Sequence, residues 1–209
     1  MTEQQNTNVQ HTYFFDPESA SEMARLIEQD RMMTKAMGGP LAGLPDLPLG
    51  AQVLDLACGP GSWALDTAYA SPDSEIAGVD ISRIMIDYAN ARARSQGLTN
   101  VSFGVMDITQ PLDFSDHSFD LVNARTLFAV LRRDAWQPFI SECTRILKAG
   151  GTLRLNEPVD GGVTNSAAIE RLLAALARAI WTLGYGFSID GRSFGIVPSL
   201  PALLREAGY

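Results

Sequence analysis

Apolar positions along the chain fall into two rhythms. Gln52 to Ala57, Glu75 to Asp80, Val101 to Val105, Phe119 to Asn123 and Gly151 to Asn156 are short, nearly continuous apolar runs. Runs of that length predict strands buried on both faces. Between them, Ser62 to about Tyr69, Ser82 to about Gln96 and about Asp134 to Leu147 carry apolar residues at helical spacing. Glu18 to Met37 predicts an earlier helix through Met23, Leu26, Ile27 and Met33, stopped by Gly38-Gly39-Pro40. A Pro- and Gly-rich linker from Pro40 to Gly50 then leads to the first strand. Asn165 to Leu183 predicts a helix with a broad apolar face, and Ser199 to Tyr209 a last helix with a glycine stop. The alternation predicts an α/β fold, a doubly wound and mostly parallel sheet covered on both faces, whose ligand lies at the carboxyl ends of the strands. One domain is expected over 1–209: a helical preface and linker to 50, a core over 51–157 and a helical segment over 158–209. No internal repeat is visible.

Composition narrows the classes of function. With 209 residues, 46% hydrophobic and 19% charged, the chain suits a single globular domain. The net charge of −8 disfavours a nucleic-acid surface, which needs a basic footprint. No apolar run reaches the roughly 20 residues needed to span a bilayer, and Met1 to Gln10 lacks the basic and apolar parts of a secretory signal. A cytoplasmic location is the expectation. Two cysteines, Cys58 and Cys143, and two histidines give neither a disulfide framework nor a metal site. A small-molecule substrate is expected.

The densest chemical signal is Val53-Leu54-Asp55-Leu56-Ala57-Cys58-Gly59-Pro60-Gly61-Ser62, a strand that passes through an acid into a glycine turn. Glycine has no Cβ, so the backbone there can come close to a ligand. Asp80 ends the next strand about 20 residues on, the offset suited to a ribose diol. The segment also satisfies the looser dinucleotide pattern, so an NAD-dependent oxidoreductase must be weighed. Against it stand Asp55 inside the strand end, where a pyrophosphate would meet an anion, and Trp63 in the first helical turn. Asp107, after the third strand, can accept from an exocyclic adenine amine. Three acids suit a cationic amino-acid nucleoside better than a diphosphate.

These segments resemble class I S-adenosylmethionine-dependent methyltransferases from about Gln52 to Glu157, half the chain. Asp55, Cys58, Gly59 and Gly61 match D-x-x-C-G-x-G. Asp80, Ser82 and Met85 match D-x-S-x-x-M. Ser118 to Asn123 resembles S-F-D-x-V, and Arg145 to Gly151 resembles R-V-L-K-P-G-G with Ala149 in place of proline. The resemblance implies a Rossmann-like methyltransferase fold and S-adenosyl-L-methionine as cofactor, with S-adenosyl-L-homocysteine as product. It implies a cofactor set of Asp55, Ala57, Cys58, Gly59 and Gly61 in the first turn and Asp80, Ile81 and Met85 in the second. Met106, Asp107 and Ile108 would lie beside the adenine, and Asn123 completes the set.

Plainer roles compete at several positions. Asp80 could cap the helix at Ser82, Asp107 could start a turn to Pro111, and Asp120 could pair with backbone near its strand start. Arg125 follows Asn123 where the fourth strand opens into the crevice. The family often uses its N-terminal helix as a lid, which makes Tyr13 and the face from Arg25 to Thr34 candidate substrate contacts. After the fifth strand, a second lid helix offers Trp181, followed by Tyr185. In-line methyl transfer needs alignment more than a triad. If the acceptor is a hydroxyl, Glu157 is the candidate base, with His117 and His11 behind it; Glu157 could equally be structural beside Pro158. The expected acceptor is a small hydrophobic molecule, as for quinone and secondary-metabolism methyltransferases, with neither nucleic acid nor membrane as partner. A module that binds the nucleoside without turnover is the alternative. The family's sheet closes with an antiparallel strand pair after the last helix. Here the chain stops at Tyr209, so a longer protein or a homo-oligomer is expected.

Overall fold

A computed structural model describes residues 19–209. The calls on Tyr13 and His11 fall outside the described residues. The elements run α1 (Ala20–Met37), β1 (Gln52–Leu56), α2 (Ser62–Ala70), β2 (Glu75–Asp80), α3 (Arg83–Ser95), β3 (Val101–Val105) and β4 (Phe119–Arg125). They continue with 3-10 turns at Leu127–Ala129 and Arg133–Ala135, then α4 (Trp136–Ile146), β5 (Leu147–Asn156), α5 (Ala167–Thr182) and α6 (Ile196–Glu206).

The five strands form one parallel sheet in the order β3-β2-β1-β4-β5. The chain winds outward from β1 to β3 and then restarts at β4 on the other side of β1. That reversal leaves a crevice at the carboxyl ends of β1 and β4, where the flanking connections diverge. Because strand side chains alternate, β1 feeds both layers of core. Leu54 and Leu56 pack with Val122, Ala124, Ile140 and Ile146, whereas Ala51 and Val53 pack with Trp63, Ala64 and Leu121. Trp63 is buried and donates its indole N–H to the Pro40 carbonyl at 2.9 Å. The ring therefore anchors the linker instead of crowding the glycine loop, and its presence says nothing against a diphosphate.

Two strands are longer than the apolar pattern indicates. β4 runs on to Arg125, and β5 begins at Leu147, because backbone pairing with a neighbour continues through polar and glycine positions. Asp120 takes the backbone role foreseen for it, accepting from Gln52 N–H at 2.8 Å and from Lys148 Nζ at 2.6 Å. Gly61 is irreplaceable on two counts. Its φ is +75°, and a Cβ there would lie 2.7 Å from Phe103 and 2.8 Å from Ala89. Among the described residues no helix is long and apolar enough to cross a membrane.

Candidate functional site

The crevice encloses about 1320 Å³ including its open mouth. Its floor is the turn between β1 and α2. Ala57 there adopts φ +54°, a left-handed conformation that costs free energy for a non-glycine residue. Cys58 N–H donates to the Val79 carbonyl at 2.9 Å and Gly61 N–H to the Cys58 carbonyl at 3.0 Å, tying the turn to β2.

Asp80 holds this floor from the neighbouring strand. Its Oδ2 accepts from Gly59 N–H at 2.8 Å and its Oδ1 from Ser82 N–H at 2.9 Å, while Ser82 Oγ caps α3 by accepting from Met85 N–H at 3.3 Å. The capping role and a crevice-facing role therefore coexist in one carboxylate, which lines the cavity beside Ile81 and Met85. The Gly59 N–H is committed to Asp80, so the loop offers a ligand close backbone and not a bare donor at that position.

Asp55 lines the crevice from the end of β1 and is 3% exposed. Burial pushes its carboxyl up to about 7, against the pull of the Arg125 guanidinium and a hydrogen bond from Asn123; Asp30 and Asp80 add to the rise. Asp107 also lines the crevice, between Met106 and Ile108. Its Oδ1 accepts from Thr109 N–H at 2.9 Å and Thr109 Oγ1 at 2.7 Å, so it starts a turn and faces the cavity at once.

Several expected contacts lie elsewhere. Asn123 is completely buried and does not line the crevice; its Nδ2 donates to Asp55 Oδ1 at 2.7 Å, so it touches the site only through Asp55. Glu157 does not line the crevice either. Its Oε1 accepts from Leu127 N–H at 2.7 Å and Oε2 from Phe128 N–H at 3.0 Å, which corrects the assignment as a base: both oxygens cap the 3-10 turn that follows β4. Burial nevertheless raises its pKa to about 7, the two backbone bonds opposing the rise. Tyr185 is buried in the core against Arg132, and Trp181 donates to the Ser188 carbonyl at 2.7 Å; neither lines the crevice, and of the apolar face of α5 Ala177 and Ile180 join the core while Ile169 and Leu172 are exposed. His117 sits at the amino end of β4, at the opposite edge of the sheet, with its Nδ1 2.9 Å from the Leu147 carbonyl.

Arg125 does line the crevice, and α1 forms its roof through Arg25, Leu26, Gln29, Asp30 and Met33. The guanidinium pairs with Asp30 of α1, reaches Thr34 Oγ1 at 3.3 Å and lies 5.9 Å from the centre of the Trp63 ring. Phe128, Ala129 and Val130 build an apolar wall that no sequence pattern announced. The signal is weak: Thr126, at φ +57°, turns the chain there without a glycine or proline to mark it.

The donor set can be tested against a cationic amino-acid nucleoside. Asp55 and Asp80 offer carboxylates, the left-handed Gly59 admits close approach, and Met85, Met106 and Ile108 offer an apolar slot for a base; Gly61, expected in the cofactor set, does not line the crevice and packs against Phe103 and Ala89. These residues fit S-adenosylmethionine. Among the described residues no group of three or more His, Cys, Asp or Glu could hold a metal ion.

Comparison with known proteins agrees with this geometry. The sequence profile of a methyltransferase domain matches residues 53–151. The methyltransferase GfsG of Streptomyces halstedii is 29% identical over 205 residues, covering 96% of this chain and 65% of that protein. The 27-O-demethylrifamycin SV methyltransferase of Amycolatopsis mediterranei is 32% identical over 151 residues, covering 72% of this chain and 51% of that protein. The chain thus spans between half and two thirds of the length of these relatives. Among solved structures, a SAM-dependent methyltransferase from Aquifex aeolicus shares the fold, with a TM-score of 0.60 at 18% identity over 93% of this chain and 88% of that one. Sheet order, glycine turn, paired acids and sequence profile converge: the chain carries a methyltransferase domain with the fold of class I S-adenosylmethionine-dependent methyltransferases.

Proposed function

We propose that the protein transfers the methyl group of S-adenosylmethionine to a small hydrophobic acceptor by in-line displacement. The observation that carries this reading is that one crevice joins two surfaces. Carboxylates at Asp55, Asp80 and Asp107 and the Gly59 floor share the crevice with apolar side chains of Leu26, which lies against Gly59, and of Met33, Phe128, Ala129 and Val130. When bound, S-adenosylmethionine supplies an electrophilic methyl carbon on a sulfonium that leaves as a neutral thioether. The chain's own residues bind and orient. Asp80 receives the ribose hydroxyls while holding the glycine turn, Asp107 receives the adenine amine on its second oxygen, and the apolar wall confines the acceptor and excludes water. Orientation of this kind can supply up to about 7–11 kcal/mol of the barrier. The cytoplasm is the proposed place of action, and the acceptor is a secondary-metabolite-like molecule, the class to which the demethylrifamycin named for the Amycolatopsis relative belongs.

A second reading follows from the commitment of Glu157 to backbone. With Asp55, Asp80 and Asp107 assigned to the nucleoside, Asp30 paired with Arg125, and no lysine, histidine, glutamate or tyrosine among the described residues lining the crevice, a hydroxyl acceptor finds no uncommitted base. A domain that binds the nucleoside without turnover fits that observation. Calorimetric titration with S-adenosylhomocysteine, with NADH in parallel and Asp80→Ala as site control, tests the common part of both readings. Binding of the homocysteine nucleoside alone, lost in the variant, supports them; binding of NADH alone overturns them. An acceptor screen with labelled methyl donor then separates catalyst from binder.

A further inference from the structure

The crevice contains a carboxylate that the core fold does not require. Asp30 stands on α1, outside the sheet and outside the segment over which the methyltransferase profile matches. Its side chain is 10% exposed and lines the crevice together with Asp55. One oxygen, Oδ1, takes the Arg125 guanidinium. The other, Oδ2, is buried and has no hydrogen-bond partner. A carboxylate oxygen removed from water without a donor is costly, by about 1–3 kcal/mol or more. The native ensemble retains such an atom most readily when a donor reaches it in the liganded state. Both side chains line one crevice, and the Asp30 charge raises the cost of ionising Asp55, so a cation between them is favoured.

Resting on the cofactor reading above, we propose that Asp30 and Asp55 together bind the α-ammonium of the cofactor's amino-acid part, which makes α1 a component of the cofactor site and not only its cover. The ammonium has three donors. Two of them satisfy Asp55 and Asp30 Oδ2, the second after a small turn of the Asp30 carboxylate about its own stem. The Arg125 contact at Oδ1 holds the stem in place.

The test compares S-adenosylhomocysteine with its desamino analogue, which keeps the adenosine, thioether and carboxylate but lacks the ammonium. The quantity read is the ratio of the two dissociation constants in wild type, Asp30→Asn, Arg125→Gln and the double variant. Wild type is expected to prefer the amino compound by more than tenfold, and Asp30→Asn to reduce that preference by about tenfold, the size of a charge-assisted hydrogen bond. Arg125→Gln loosens α1 and also removes the guanidinium that favours ionised Asp55, so both ligands should weaken while the amino compound stays preferred in that variant. The double variant removes both charges of the pair, avoids an unpaired buried ion, and serves if Asp30→Asn does not fold. An unchanged ratio in the Asp30 variants overturns the proposal and leaves Asp30 as the partner of Arg125 alone. If wild type binds neither compound, the cofactor reading itself has failed.

Discussion

Asn123 and Asp55 stand side by side on adjacent parallel strands, paired in register, with Asn123 Nδ2 2.7 Å from Asp55 Oδ1 and almost no solvent at either residue. A neutral amide thus holds an acid whose ionisation burial opposes. Removing that donor should act on the crevice from beneath. Asn123→Ala is expected to cost about 1–3 kcal/mol of stability, and to weaken S-adenosylhomocysteine by about tenfold by raising the Asp55 pKa further. Urea unfolding and calorimetry read the two effects; full affinity in the variant would sink the link.

Asp55 and Glu157 both titrate near 7 in the folded chain, well above ordinary carboxylates. A raised carboxylate pKa means that the native state holds the proton more tightly than the unfolded state. Its contribution to stability is therefore complete below the unfolded pKa near 4 and is lost as pH rises through about 7. Asp120 and Glu142, whose pKa values are lowered, work in the opposite direction but only in more acidic solution. Urea stability of the ligand-free protein should accordingly fall between about pH 4 and pH 7, by up to about 1.4 kcal/mol per pH unit for each proton involved. Asp55→Asn should flatten the slope, and S-adenosylhomocysteine affinity in wild type should rise over the same range as Asp55 ionises.

Replacing Glu157 distinguishes a cap from a base. Glu157→Gln keeps the shape but sets an amide N–H₂ against one of the two backbone N–H groups that the carboxylate now satisfies. The expected result is a loss of about 1–3 kcal/mol in stability with S-adenosylhomocysteine affinity within about threefold of wild type. With an acceptor in hand, a fall in turnover of about 100-fold or more at unchanged stability would instead restore the role of general base.

Gly61→Ala tests how tightly the loop is packed. Its new Cβ meets the Phe103 ring and the Ala89 methyl group at under 3 Å, which should cost about 1–3 kcal/mol through overpacking and about 1 kcal/mol more through the left-handed backbone. Phe103→Leu in the same chain should recover part of the loss. Thermal unfolding of the single and double variants checks both statements.

Strands and helices were legible in the sequence wherever one period persisted. β2 and β3 have the bounds that the apolar runs mark, and α2, α3 and α4 differ from their patterns by a residue or two. The crevice was legible where its residues are local in sequence, as with Asp55, Ala57, Cys58 and Gly59 and with Asp80, Ile81 and Met85. It was illegible where a contact spans the chain. The Arg125–Asp30 pair joins residues 95 apart, and Glu157 reaches back 30 residues to Leu127. Neither partner carries a local sign of the other. Position at a strand end made Glu157 and Asn123 look like ligand contacts, although both Glu157 oxygens and the Asn123 amide N–H₂ are engaged by the protein itself.

The Pro40 carbonyl accepts from both the Trp63 indole and the Arg154 guanidinium, so the foot of α1 is bolted to α2 and to β5 at a single oxygen. Asp30 lies seven residues before Met37, where α1 ends, about 10 Å along the axis at 1.5 Å per residue. The helix is then held at its foot, by its packing on α2 and by the pair with Arg125. A swing of about 10° at the foot carries Asp30 through about 1.8 Å on such an arm. Loss of that charged contact would therefore free the roof of the crevice along this arm, while the foot stays fastened to the packed layers around the sheet.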